Sequence, residues 1–327
     1  MRLPLRNGVT LRPVCGMIRT ENIFYGLYHN PYGLVQNNGV YEMSYQIITD
    51  SCCDLTEAQL QQLQVTCANL TVMYNGENHS NFSDPTAVKA FYDEIRKGTM
   101  ATTAAANPDD WSNLMLPALK EGKDVLVLAF SSGLSTTYQS AVIASKDLQE
   151  EYPDRKIIVV DTLCAALGQG LLVKLTCDKR DAGLSMEETA AWVEANKLNL
   201  CHWVTVDDLT HLKRGGRISA TTALVGTMLN VKPIIHVDND GHLINSSKVR
   251  GRKAAMEYLV KKFEETCTDF DNVFIAHGDC PEDAAALEAM LRAKHDIKNV
   301  TTGYVGPVIG AHTGPGVLVV FFLGTHR

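Results

Sequence analysis

Residues 124–141 read DVLVLAFSSGLSTTYQSA. The first seven, DVLVLAF, are too apolar to leave one face wet. They predict a central strand of a sheet covered on both sides, as parallel sheets are. KIIVVD at 156–161 repeats the design, and YQIITD at 45–50 has the same β-branched character. Helical patterns separate these runs, so the connections are right-handed crossovers and the first half of the chain is α/β. Where DVLVLAF ends, Ser131, Ser132, Ser135, Thr136 and Thr137 surround Gly133. A strand that enters a helix through such a corner leaves backbone N–H groups pointing outward with partial positive charge. Hydroxyls add donors without adding charge, which suits a carboxylate or phosphate. The same residues also fit a plain helix cap made by Ser132 or Ser135.

Working outward, SCCDLTEAQLQQLQV at 51–65 predicts one helix with Leu55, Leu60 and Leu63 on a common side. In NLTVMYNGENHSNFSD, Asn75-Gly76 marks a hairpin turn. PTAVKAFYDEIRKG reads as a helix closed by Gly98, and MATTAAAN after it as a loop. Asn107 then caps a helix with Pro108 at its first position and Trp111, Leu114, Met115 and Ala118 on the buried face. Ser185 with Glu188 makes a capping box for a further helix. From residue 201 the pattern changes. CHWVTV is a strand and DDLTHLKRGG a short helix stopped by two glycines, while KPIIHVD and HLINSSKV form an antiparallel hairpin across Asn239-Asp240-Gly241. Two amphipathic helices, at 252–267 and 281–295, flank the strand NVFIAHGD. Two final strands, VTTGYVG and GVLVVFFLG, enclose the loop PVIGAHTGPG. The fold class expected is therefore a parallel-sheet α/β/α domain, residues 44–200, followed by a second α/β domain with a mixed sheet, residues 201–327.

Composition narrows the functional classes. The 327 residues are 45% hydrophobic and 20% charged, as in a globular protein of two domains. A formal net charge of −7 argues against a broad nucleic-acid surface. The nine cysteines are scattered with no Cys-x-x-Cys pair, which predicts reduced thiols and a cytoplasmic location. No apolar run is long enough for a membrane span. Residues 1–43 show neither a secretory h-region nor a clear period, and are expected to be a leader outside the fold, non-native or the product of a mis-assigned start with a true start near Met43, the alternative being a genuine extra arm.

Chemistry-bearing residues fall on a few loops. Thr102 and Thr103 in TMATTAAANP precede a helix, and either belong to a plain small-residue loop with caps or face the same crevice as the serine corner, where ligands of parallel sheets sit. Asp50 also ends a strand there. Its charge would repel an anion, so capping the next turn is its expected role. HLKRGGRIS sets Lys213, Arg214 and Arg217 around a glycine pair, either as a solvated basic face or as an arginine offered to phosphate or to a partner's acidic surface. VIGAHTGPG places His312 and Thr313 among glycines that allow backbone to approach a ligand closely. His277 reads equally as a satisfied, partly buried histidine. The phosphate loop, the dinucleotide fingerprint, the nucleophile elbow and metal-ligand spacing are all missing from the sequence. This inventory binds an anion well and catalyses poorly, so no catalytic residue, metal or cofactor is expected. ISATTALVGTMLNV at 218–231 supplies small and apolar residues for the wall of a tunnel, or for an ordinary buried helix.

TDSCCDL, SSGLSTTYQSA, HLKRGGRIS and GPVIGAHTGPG, in that order, resemble the four signature segments of the DegV family of bacterial fatty-acid-binding proteins. The resemblance runs from about Tyr45 to the C-terminus. It implies one long-chain fatty acid with its carboxylate between the two domains and its tail in the second. It further implies that the protein is the non-catalytic partner of a fatty-acid kinase catalytic subunit, presenting the carboxyl group for acyl-phosphate formation in phospholipid synthesis. Carried over by motif, the carboxylate ligands are Thr102 or Thr103 and Ser131 or Ser132, with Gly133, His312 and Thr313 beside them. Arg217 and Arg214 would mark the head-group vicinity and the kinase contact. The sequence departs from the family pattern in two places: Thr136 stands where a second glycine is usual, and Thr102-Thr103-Ala104-Ala105 replaces Thr-Ser-Gln-Pro. The rival reading is a phosphotransferase or esterase acting on a small substrate in the same crevice.

Overall fold

The computed structural model describes residues 34–37, 40–43, 45–81, 83–207, 209–219 and 230–327. Most of the expected leader lies outside these residues. Within it, Leu34–Asn37 and Val40–Met43 pair antiparallel as a sheet of their own. Pro31–Arg327 forms one compact unit with two sheets at its heart and a small third one beside them.

The first lobe is built as its apolar strands dictate. Asp124–Ala129 lies inside a parallel sheet, between Tyr45–Asp50 and Ile157–Asp161, with Thr66–Ala68 on the outer edge. Val125 to Ala129 are fully buried, which is why this strand has no polar alternation. The helix Pro108–Lys120 starts at Asn107, whose side chain accepts from the Asp110 N–H, and it buries Trp111, Met115 and Ala118 as expected, with Leu114 half-buried. Ser185 caps Met186–Asn196 with the expected capping box. Two expectations are corrected. Residues 51–65 do not form one helix. Asp50 accepts from the Cys52 N–H to cap a short turn, Ser51–Cys53, and Asp54 adopts φ 54°. A new helix, Glu57–Gln62, then starts from the Thr56–Gln59 capping box. The MATTAAAN segment is not all loop either. Thr102–Ala104 joins the Thr71–Tyr74 and Glu77–Ser80 hairpin as the third strand of an antiparallel sheet.

The second lobe is a six-stranded mixed sheet. Its order is Leu243–Arg250, Val231–Val237, Leu200–Thr205, Leu318–Leu323, Asn272–His277 and Asn299–Tyr304, and only the last pair is parallel. Helices Arg252–Thr266 and Pro281–Arg292 cover one face through a core that includes Phe263, Leu287 and Phe322. The other face looks toward the first lobe. There the helix Ala166–Asp181 is buried along most of its length, and a single apolar cluster runs from Ile47 and Leu126 through Leu171 to Val204 and Phe321. The segment expected to be the loop PVIGAHTGPG contains a short helix, Pro307–Thr313. Although it lies between two of the second lobe's strands in sequence, Asn299–Tyr304 and Leu318–Leu323, its Val308 and Ala311 pack into the first lobe's core. Three hydrogen bonds fix it: Tyr92 Oη donates to Val305 O, the Val308 N–H donates to Asn81 Oδ1, and Asn81 Nδ2 donates to Ser51 O. The glycines of this segment admit neighbouring side chains rather than a ligand, since a Cβ on Gly310 would lie 2.6 Å from Tyr92 Oη.

A second tether crosses at the serine corner. Ser131 Oγ donates to Gly241 O at 2.9 Å and accepts from the Gly133 N–H. A Cβ on Gly133 would lie 2.7 Å from Asp240 O and 2.9 Å from the carbonyl group of Gly241, which is backbone and cannot swing aside. Gly133→Ala should therefore lower stability by about 1–3 kcal/mol, as overpacking does, measured by urea unfolding. Unchanged stability would show that the lobes separate freely at this point.

Candidate functional site

The two tethers leave a cavity of about 480 Å³ between the serine corner, the Pro307–Thr313 helix and the open face of the six-stranded sheet. That volume is ordinary for an organic ligand. One end of it is polar, with Thr103, Ser132, Arg217, His312 and Thr313. The rest is lined by Val204, Ile235, Val237, Val319 and Phe321 among other apolar groups. No Asp or Glu lines it, and Arg217 is the one permanently charged residue among the described residues that do.

Each polar group is placed by its element. In the strand Thr102–Ala104, side chains alternate. Thr103 turns inward, and its Oγ1 lies 2.8 Å from His312 Nε2, whereas Thr102 is exposed and does not line the cavity. Burial holds His312 at a pKa of about 4, helped by the nearby positive charge of Arg217, so its ring is neutral at physiological pH. The serine corner splits its duties. Ser131 is fully buried and spends its hydroxyl on Gly241, as described above. Neither Ser132 nor Ser135 is the helix cap: the N-cap position is Thr136, which makes no side-chain cap hydrogen bond, and Ser135 Oγ, one residue before it, accepts from the Thr137 N–H. Ser132 lines the cavity, its N–H donating to Asp161 Oδ1, and its hydroxyl has no partner among the described residues. Gly133 sits at the lobe contact and not on the cavity wall.

Arg217 reaches back from the glycine turn after Thr210–Arg214. Its Nε and Nη2 both donate to Leu134 O, at 3.3 and 3.2 Å, so it fastens the serine corner to the second lobe. Sequence reasoning missed this role, because nothing in HLKRGGRIS names a carbonyl 83 residues away as its partner. Arg214 is exposed and stands off the cavity, with Nη2 2.9 Å from His211 Nδ1. Thr313 lines the wall, but its hydroxyl is turned to Ile309 O. Asp50, as expected, points away from any anion. It accepts the Cys52 and Phe130 N–H groups, and burial pushes its carboxyl up to about 7. His277 is a buried histidine that accepts the Cys280 N–H and lies outside this cavity. Of ISATTALVGTMLNV, residues 220–229 lie outside the described residues, and Ile218 is buried in the central cluster.

A second cavity, about 840 Å³, opens on the far side between Asp54, Glu57, Asp84 and Tyr304. No Lys or Arg lines it among the described residues, and Glu57 and Asp84 on its wall disfavour a carboxylate, whereas burial raises the Asp54 pKa to about 8. Among the described residues no three His, Cys, Asp or Glu side chains converge as metal ligands, and none of the helices is long and apolar enough to cross a membrane. The eight described cysteines are free.

A two-lobe α/β protein with a cavity polar at one end and apolar elsewhere is built to hold an amphiphile. The family model for DegV, described as an uncharacterised protein family, matches residues 44–325, and the chain belongs to that family. It is 43% identical over 283 residues to a DegV domain-containing protein of Clostridium perfringens, covering 86% of this chain and 97% of the relative. Among solved structures, it is similar to a Thermus thermophilus DegV family protein described by its fatty acid binding, with 29% identity, 86% of this chain and 100% of the other covered, and a TM-score of 0.77. It is likewise similar to Bacillus subtilis DegV, described as a fatty acid binding protein, with 28% identity, 87% and 100% coverage and a TM-score of 0.75.

A neutral buried His312 has a consequence for stability. Its folded pKa of about 4 lies below the ordinary 6.5, so between those values the unfolded chain holds more protons and acidification destabilises the fold. His312→Gln should remove that component, and its stability should fall less steeply than wild type's from pH 6.5 to 4, by up to ~1.4 kcal/mol per pH unit. Comparing the two chains cancels the opposite contributions of Asp50 and Asp54, whose pKa values burial raises. Parallel pH profiles would mean that His312 is solvated.

Proposed function

We propose that this protein binds one long-chain fatty acid in the 480 Å³ cavity and presents the carboxyl group to a fatty-acid kinase catalytic subunit, doing no chemistry itself. The observation that carries the reading is the asymmetry of that cavity, with hydroxyls and one arginine at one end, no carboxylate anywhere on the wall, and the apolar face of a sheet beyond. A tail of about 15 methylenes gains on the order of 12 kcal/mol on burial, which exceeds the several kcal/mol that association costs. The head group then fixes orientation more than affinity.

The carboxylate takes its hydrogen bonds from Ser132 Oγ and Thr103 Oγ1. With the Nε2–H tautomer of His312, the ring donates to Thr103 Oγ1 and turns the threonine proton toward the ligand. Of each pair carried by the family resemblance, Thr103 and Ser132 are the members on the cavity wall, and Thr102 and Ser131 are not. Arg217 adds a favourable charge while holding Leu134 and hence the corner that bears Ser132. Arg214, exposed on the same turn, suits the kinase contact, which the cytoplasmic location expected from the cysteines would allow. The kinase partner itself comes from the DegV resemblance. The described fatty-acid binding of the Thermus thermophilus and Bacillus subtilis proteins supports the ligand class.

Mass spectrometry of the purified protein should find a co-purified fatty acid. Ser132→Ala combined with Thr103→Ala should weaken binding at least about tenfold, the loss expected for two hydrogen bonds to a charged group. Arg214→Ala should leave lipid affinity unchanged and slow acyl-phosphate formation by the kinase. A protein free of lipid that also ignores added palmitate and oleate would refute the reading. Acyl phosphate formed from ATP without any kinase would instead favour the phosphotransferase alternative.

A further inference from the structure

Strand register orders the cavity wall from head to tail. The polar end lies where Leu200–Thr205 finishes and Leu318–Leu323 begins, next to the turn carrying Arg217 and the helix carrying His312. One row inward, Val204 lies between Ile235 and Val319 on the neighbouring strands. Two residues further along, roughly 6.6 Å deeper, His202 pairs with Phe321, and Val237 pairs with Leu243. The next inward-facing position pairs Leu200 with Leu323, and neither lines the cavity. The hydrocarbon path therefore stops at the His202–Phe321 row.

That row is rigid. His202 Nδ1 donates to Leu200 O at 3.0 Å, and Nε2 accepts from the Ala165 N–H at 3.2 Å, so both ring nitrogens are satisfied without a ligand. Phe321 stands edge-on to the imidazole, with ring centroids 5.2 Å apart. Burial drops the His202 pKa to about 3, so the ring stays neutral and tolerates a methyl end. Behind both rings is Gly168 on the buried helix. A Cβ there would lie 2.3 Å from His202 Nε2 and 2.6 Å from Phe321 Cδ1. The rings have come as close to that helix as a glycine permits, and they cannot retreat from a longer ligand.

We propose that His202 and Phe321, backed by Gly168, form a fixed floor that sets the longest acyl chain the protein accepts. The inference rests on the fatty-acid reading above and adds the residues that measure chain length. Relaxing the floor should admit more methylenes, and pushing it forward should exclude some. Each two methylenes gained or lost are worth about tenfold in affinity.

The test measures dissociation constants of the full chain for saturated fatty acids from dodecanoic to eicosanoic, alongside the chain lengths that co-purify. Phe321→Leu keeps an apolar core and shortens the wall. It should move the optimum toward longer chains by about two carbons, with about a tenfold change in the long-to-short affinity ratio. Gly168→Ala should press the rings into the cavity and move the optimum the opposite way. Thermal unfolding identifies any variant that has lost its fold, and a folded Phe321→Leu decides the matter alone. A wild-type optimum that neither folded variant shifts overturns the floor while leaving the fatty-acid function intact. A wild-type protein that binds no chain of the series overturns both.

Discussion

The contact between Thr103 and His312 is the one on which the rest depends. The threonine belongs to the first lobe and the histidine to a helix that connects two of the second lobe's strands. Their 2.8 Å approach joins the lobes at the polar end of the cavity and orients a donor into it. It works because the histidine is buried and neutral. An imidazolium beside Arg217 would put two unbalanced charges in a site that has no carboxylate on its wall. The anchoring of that helix through Tyr92 and Asn81 is then part of the site, although neither residue lines the cavity and both spend their polar groups on backbone.

Electrostatic sorting separates the protein's two large cavities. The acidic one, with Glu57 and Asp84 on its wall and no Lys or Arg among the described residues that line it, disfavours an anion although it is the larger. The other excludes acids and offers hydroxyls, one arginine and a long apolar face. Uncharged donors can hold a carboxylate without burying a matched ion pair. The deep end is closed by two aromatic rings already satisfied by the protein's own backbone and packing. Fixed donors at one end and fixed rings at the other make a site of defined length.

Much of this was legible in the chain, for identifiable reasons. DVLVLAF is apolar throughout because both faces of its strand are covered, so its central position could be read directly. Asn107, Ser185 and Asn75-Gly76 fixed local structure through caps and a turn whose chemistry is local. The 51–65 helix was misread because the capping box at Thr56 sits inside an otherwise helical pattern. The third strand at Thr102–Ala104 was hidden because it is only three residues long, runs into alanines, and its pairing with Thr71–Met73 is tertiary. At the site, residue types and loops were readable, but the choice within each pair was not. Ser131 and Ser132 are adjacent, and only the approach of Gly241 from the other lobe commits the first to structure and leaves the second on the cavity wall. Arg217's grip on Leu134 likewise exists only once the lobes have met, and so does the packing of Gly168 against His202 and Phe321.

The most direct test is a crystal structure of the protein with a long-chain fatty acid bearing bromine on its terminal carbon, the halogen located by anomalous scattering. The account predicts carboxylate density within hydrogen-bonding distance of Ser132 Oγ and Thr103 Oγ1, and the bromine against His202 and Phe321. Bromine at the Arg217 end, or in the acidic cavity beside Asp54, would contradict it.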